Sequence, residues 1–305
     1  MAEQFQVTVR GSISVRGWHW KAEQAKRNLC VITGMDEYAL RYERFAEWMT
    51  EHDTNVWVLD ALGQGLNAVS VERQQEWPDD GFAVNVEAVR EMILLAKKNG
   101  LRTFQMGHSM GSFLTQALLM RFPDLTDGII LCGSNGGQAG LMKNAFRLAS
   151  LRTSEKNRNL PDPLMTVLSF GSYVRSIKNR KTELDWLSFD EENVRKYIED
   201  PYCGHPNTKG FWREFLRGMA DLWDPEKMKK ISPKERILVI AGKEDPVGQN
   251  GKGPLWLEKA YKALGVREVK LRLYDHMRHE ILNEADRETV FQDILSFMKK
   301  GETAA

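Results

Sequence analysis

A chain of 305 residues has room for one α/β core and an inserted segment. Its hydrophobic fraction of 42% and charged fraction of 28% are ordinary for a globular protein, and a net charge of +1 provides no field for holding nucleic acid. There is no run of ~18 apolar residues to span a bilayer, and the first residues lack the basic-then-apolar pattern of a secretory signal. Cys30, Cys132 and Cys203 are too few for a disulfide framework, and no Cys or His spacing suits zinc. The expectation is a cytoplasmic protein with three free thiols, no metal and no cofactor.

In chain order, Gln6 to Val9 and Ser12 to Gly17 alternate around Gly11 like an antiparallel hairpin at a sheet edge. Six short apolar runs follow: Leu29 to Thr33, Val56 to Asp60, Thr103 to Met106, Ile129 to Cys132, Ile237 to Ala241 and Val269 to Tyr274. Runs of this kind suit strands buried on both faces. Stretches with helical spacing separate them, over Tyr42 to Glu51, Ala83 to Lys97, Ser112 to Arg121, Trp256 to Leu264 and Arg287 to Lys299. This alternation predicts a mostly parallel, doubly wound sheet flanked by helices. It breaks across residues 135–234, where no strand run occurs and aromatic residues abound: Phe170, Tyr173, Trp186, Tyr197, Phe211, Trp212, Phe215 and Trp223. That stretch reads as an inserted helical cap on a core of residues 1–134 and 235–305, with most of the aromatics forming the cap's own core.

The chemistry centres on Gly107-His108-Ser109-Met110-Gly111, set between a buried strand run and a helical stretch. A serine on such a turn takes a strained backbone conformation, which neighbouring glycines make room for. The turn places the hydroxyl at a helix N-terminus, where N–H groups and the helix dipole stabilise an oxyanion. A serine needs a base. Among six histidines, His279 lies between the last strand run and the last helix, with His276 its rival in the same loop; His108 is expected to point away. Asp245, beyond another strand run, can orient the base. The chain order Ser109, Asp245, His279 is that of the α/β-hydrolase triad. Two N–H donors complete an oxyanion hole: Met110, after the nucleophile, and Met35, after the strand run Leu29 to Thr33.

Several segments resemble the monoacylglycerol lipase and lysophospholipase group of α/β-hydrolases. They are Gly34-Met35-Asp36-Glu37-Tyr38 with Arg41-Tyr42 and Phe45-Ala46, Asp60-Ala61-Leu62-Gly63-Gln64-Gly65, the Ser109 pentapeptide, Gly242 to Gly248, and Met277 to Glu284. The similarity runs from about Val31 to Met298. It implies hydrolysis of monoacylglycerols, lysophospholipids or similar single-chain esters through an acyl-enzyme. Two departures stand out. Thr33-Gly34 replaces the group's His-Gly, and Ala61, Leu62 and Gln64 occupy a turn where the group carries a basic residue and a histidine. Other serine-triad tasks remain open: thioester or amide hydrolysis, peptidase action, or acyl transfer. A catalytically silent ligand receptor is the reading of another class. The expected partner is a small-molecule or lipid ester, with transient membrane contact through the cap as an option that no strongly basic amphipathic helix supports.

Overall fold

The computed structural model describes residues 2–301; Met1 and residues 302–305, at the outer ends of the two expected core spans, lie outside the described residues. The chain opens with a hairpin of β1 (Glu3–Val9) and β2 (Ile13–Trp20), which turns through Arg10 and Gly11, both at positive φ. Six strands follow: β3 (Arg27–Ile32), β4 (Thr54–Leu59), β5 (Arg102–His108), β6 (Gly128–Cys132), β7 (Arg236–Gly242) and β8 (Glu268–Tyr274). They form one sheet in the order β1-β2-β4-β3-β5-β6-β7-β8. The pairs from β4 through β8 are parallel, and β1 and β2 are antiparallel.

Burial on both faces explains the continuous apolar runs of the central strands. Along β3, Cys30 and Ile32 face one apolar cluster and Leu29 and Val31 the other. The first cluster holds Val89 and Met92 of α2 (Gly81–Ala96) and Leu114 and Leu118 of α3 (Met110–Arg121). The second holds Phe45 and Met49 of α1 (Glu43–Glu51) and Phe291 and Ile294 of α10 (Arg287–Lys299). β8 departs from the expectation of two buried faces. It is the last strand of the sheet, and only Tyr274 in it is buried.

Between β6 and β7 stand α4 (Ala139–Arg152), α5 (Pro163–Ser176), α6 (Glu191–Glu199), α7 (Lys209–Leu222) and the single turn α8 (Pro225–Met228); α9 (Lys252–Ala263) follows β7. Asp162, Asp190, Thr208 and Asp224 cap α5 to α8, each accepting a backbone N–H. The aromatic residues of this insert divide, contrary to the expectation of a separate cap core. Phe211, Trp212, Phe215 and Trp223 join the cluster of α2 and α3, because α7 lies against those helices. Trp186 and Tyr197 form a smaller cluster with Ile177, Leu187 and Val247, against which Phe170 and Tyr173 pack.

The connectivity also locates a crevice. The chain steps from β3 outward to β4, then crosses back to place β5 on the other side of β3. At such a reversal the loops leaving two neighbouring strands diverge and open a crevice at their carboxyl ends. Here those loops are Thr33 to Tyr38 and the turn at Ser109.

Candidate active site

Ser109 ends the β5 turn at φ 52° and ψ −119°, with α3 beginning at the next residue. A left-handed φ for a non-glycine residue costs of order 1–3 kcal/mol and persists only where the surroundings hold it. They do so here: the Ser109 N–H donates to the Cys132 carbonyl at 2.9 Å, and Ser112 Oγ donates to the Ser109 carbonyl at 2.6 Å. The flanking glycines are steric requirements. A Cβ on Gly107 would run into the Gly111 carbonyl, and one on Gly111 into the carbonyl of Ile32.

His279 and Asp245 come together from separate loops. His279 Nδ1 lies 3.0 Å from Asp245 Oδ2, both residues almost wholly buried, while Asp245 Oδ1 accepts the Val247 N–H at 2.8 Å. The rival His276 is exposed. Against a carboxylate, Nδ1 carries the proton, which leaves Nε2 as the basic nitrogen. The pair fits tightly. A Cβ on Gly133 would touch the His279 ring at 3.2 Å, and one on Gly242 would strike the carbonyls of Met277 and Arg278. Trp186 of the insert stands over the imidazole, ring centroids 5.3 Å apart.

His108 has more to do than point away. Its Nδ1 lies 3.0 Å from Glu37 Oε1 and its Nε2 3.3 Å from the His279 carbonyl, so both nitrogens face acceptors. Burial works against charge on His108, but the Glu37 carboxylate overrides it and raises the imidazole's pKa. Burial likewise opposes Glu37, and the charge on His108, with Arg41 behind it, holds that carboxyl low. Arg41 continues the network to Glu280 at 2.6 Å, next in sequence to His279, and Asn193 of α6 joins it at 2.7 Å. Glu284 is a second tie between the insert and the loop of His279. Its buried carboxylate accepts from Ser188 Oγ at 2.8 Å and from the Phe189 and Arg278 N–H groups at 3.0 and 2.8 Å.

A stability signature follows from the His108–Glu37 pair. A histidine pKa raised on folding stabilises fully below its unfolded value, near 6.5, and the gain is lost as pH rises through the folded pKa. A lowered glutamate pKa stabilises above about 4.5 and is lost only in strong acid. Glu37→Gln is therefore expected to cost about 3 kcal/mol at pH 6 and distinctly less at pH 9. Calorimetric unfolding of both proteins at the two pH values reads this, and a penalty independent of pH would exclude a charged His108.

The loop carrying Met35 is held from several sides. Asp36, at φ 61°, has its carbonyl bound by Tyr197 Oη at 2.8 Å and its carboxylate by Asn207 Nδ2 at 3.0 Å. Thr33 and Gln64, the two departures in the sequence, are both fully buried and meet beneath this loop. Sequence reasoning named neither Glu37, Arg41, Glu280 and Glu284 as a network nor Gln64 as a contact of the loop. The first four sit inside segments that carry the family resemblance, and that position was the available signal.

A model of the serine aminopeptidase S33 family matches residues 23–286. The chain belongs to this family. Over 285 residues it is 25% identical to "Phospholipase YtpA" of Bacillus subtilis, covering 92% of this chain and 98% of that protein. It is 22% identical to a monoacylglycerol lipase of Mycolicibacterium smegmatis, covering 92% and 90%. The solved structure of a thermostable carboxyl esterase from Bacillus coagulans superposes with a TM-score of 0.89 at 25% identity, over 98% of both chains. The chain is thus an α/β-hydrolase of the lipase and esterase type, a serine hydrolase, with a helical segment inserted between β6 and β7. Among the described residues no helix is long and apolar enough to cross a membrane.

Proposed function

We propose that Ser109, His279 and Asp245 form the triad of a carboxylic-ester hydrolase acting through an acyl-enzyme, with single-chain lipid esters as substrates. The observations that support this are the buried His279–Asp245 pair and a serine held at φ 52° on a strand-to-helix turn. Ser109 Oγ attacks the ester carbonyl carbon while His279 Nε2 takes its proton. The resulting oxyanion is held by the N–H groups of Met35 and Met110. His279 then gives the proton to the departing alcohol oxygen as the C–O bond breaks, leaving an acyl-serine. Water, deprotonated by His279, attacks the acyl carbon, and Ser109 Oγ recovers the proton as the carboxylic acid leaves.

Residues 135–234 act as the cap in this reading and residues 1–134 and 235–305 as the core. The apolar cluster around Trp186, which stands over His279, suits an acyl chain better than a peptide. The names of the relatives, a phospholipase and a monoacylglycerol lipase, favour the same substrate class. The cap's outer surface supports brief contact with lipid. Leu151, Leu160 and Leu164 are exposed there, and residues 139–181 carry nine Lys or Arg against two Asp or Glu. Labelling by a fluorophosphonate, followed by a panel of glycerol and lysophospholipid esters of graded chain length against thioesters and amides, tests the proposal. Fast turnover of long-chain monoesters is expected. A preference for amides or thioesters would redirect the substrate class, and a folded protein inert to the probe would favour the receptor reading.

A further inference from the structure

The Gln64 side chain grips the loop after β3 at three backbone points. Its Nε2 donates to the carbonyls of Gly34 at 2.8 Å and Glu37 at 3.0 Å, and its Oε1 accepts the Asp36 N–H at 2.9 Å. Behind it, Gln75 Nε2 donates to the same Oε1 at 3.0 Å. Thr33 Oγ1 accepts the Ala61 N–H at 3.2 Å and lies 3.4 Å from Gln64 Nε2, so the two loops are pinned together at the base of the contact. Both side chains are fully buried.

The three grip points bracket Met35. The Gly34 carbonyl and the Met35 N–H belong to one planar trans peptide unit and point in opposite directions. Holding that carbonyl therefore aims the N–H. The Asp36 N–H, held in turn by Oε1, fixes the next peptide, at the residue whose φ of 61° bends the loop. Among the described residues the Met35 N–H makes no hydrogen bond. It is a donor kept free at the crevice, while its neighbours are all engaged.

We infer that Gln64, braced by Thr33, is a positioning residue that aims the Met35 N–H at the developing oxyanion. The inference rests on the proposed ester-hydrolase reading and adds to it a role for Thr33 and Gln64, at two places where the sequence departs from the group it resembles. A glutamine suits the task because one amide offers donors and an acceptor in a fixed plane. That plane matches the alternating carbonyl, N–H and carbonyl of the loop.

Gln64→Glu keeps the shape and the acceptor but removes the donors to the Gly34 and Glu37 carbonyls. Thr33→Val keeps the volume and removes the hydroxyl that receives the Ala61 N–H. Loss of one oxyanion donor lowers kcat by about 10²–10³-fold, and a misdirected donor by a part of that. Gln64→Glu is expected to lower kcat about 30-fold or more with KM within about two-fold, and Thr33→Val to lower it about three- to ten-fold. The Ki of an alkyl boronic acid, whose adduct with Ser109 is a tetrahedral anion, should rise by the same factor as kcat/KM falls. A merely structural defect would lower Tm or active-site titre without that proportionality. Folded variants with unchanged kcat and boronate Ki, or a change confined to KM, overturn the inference while leaving a wild-type enzyme that still cleaves esters. A wild type that neither labels nor cleaves esters fails the functional reading itself, and the inference with it.

Discussion

Replacing Ser109 by alanine is expected to lower ester turnover by roughly four to six orders of magnitude and to abolish labelling by a fluorophosphonate. The size follows from what is removed. In the proposed mechanism, without Oγ there is no covalent intermediate, and His279 can only activate water that has no defined place. The residual rate comes from the N–H donors and from binding alone. The fold should survive. The backbone bonds that hold φ at 52° run from the Ser109 N–H to Cys132 and from Ser112 Oγ to the Ser109 carbonyl, and none uses the lost hydroxyl. Alanine should therefore leave Tm within a degree or two, as a thermal scan of both proteins would read. A well-folded variant retaining more than a hundredth of the wild-type rate would mean that another group is the nucleophile.

Asp245→Asn is expected to reduce kcat by about 10⁴-fold with little change in KM. The carboxylate does two things at once. Oδ1 accepts the Val247 N–H, and Oδ2 faces His279 Nδ1. Asparagine can keep the first contact by turning its carbonyl to Val247. Its NH₂ then faces Nδ1 and demands an acceptor, so the imidazole proton moves to Nε2 and the nitrogen proposed to take the Ser109 proton ceases to be a base. Steady-state kinetics on a monoester, with active-site titration to count competent enzyme, measures the loss. Retention of a tenth of kcat would show that the orientation of His279 does not depend on this carboxylate.

Together with the pH-dependent cost of Glu37→Gln, these two substitutions separate three proposed roles: nucleophile for Ser109, orienter of His279 for Asp245, and counter-ion of a charged His108 for Glu37.

Much of this architecture was legible in the order of residues, for local reasons. Apolar runs bounded by turns place β3 to β7 because a strand buried on both faces has little alternative composition. The strand-to-helix turn was readable because Gly107 and Gly111 leave no room for a side chain. Ser109, Asp245 and His279 were readable as a set because each follows a strand run, and parallel strands end at one edge of the sheet. Beyond the Asp245–His279 pairing, what lay out of reach was the contacts between segments distant in sequence. Gln64 reads as a mere departure in a turn until the fold brings it 2.8 Å from the Gly34 carbonyl, 30 residues away. Glu284 meets Phe189 across 95 residues, and Arg41 meets Glu280 across 239. The insert's aromatics could be counted, but whether each faced His279 or the α2–α3 layer depended on how the insert packs. Buried polar groups must be satisfied, and sequence states that requirement without naming the partner. Periodicity and sterics within a few residues determined the elements and the strand-to-helix turn at Ser109; only chain crossing and burial decided which distant carboxylates and amides hold them in place.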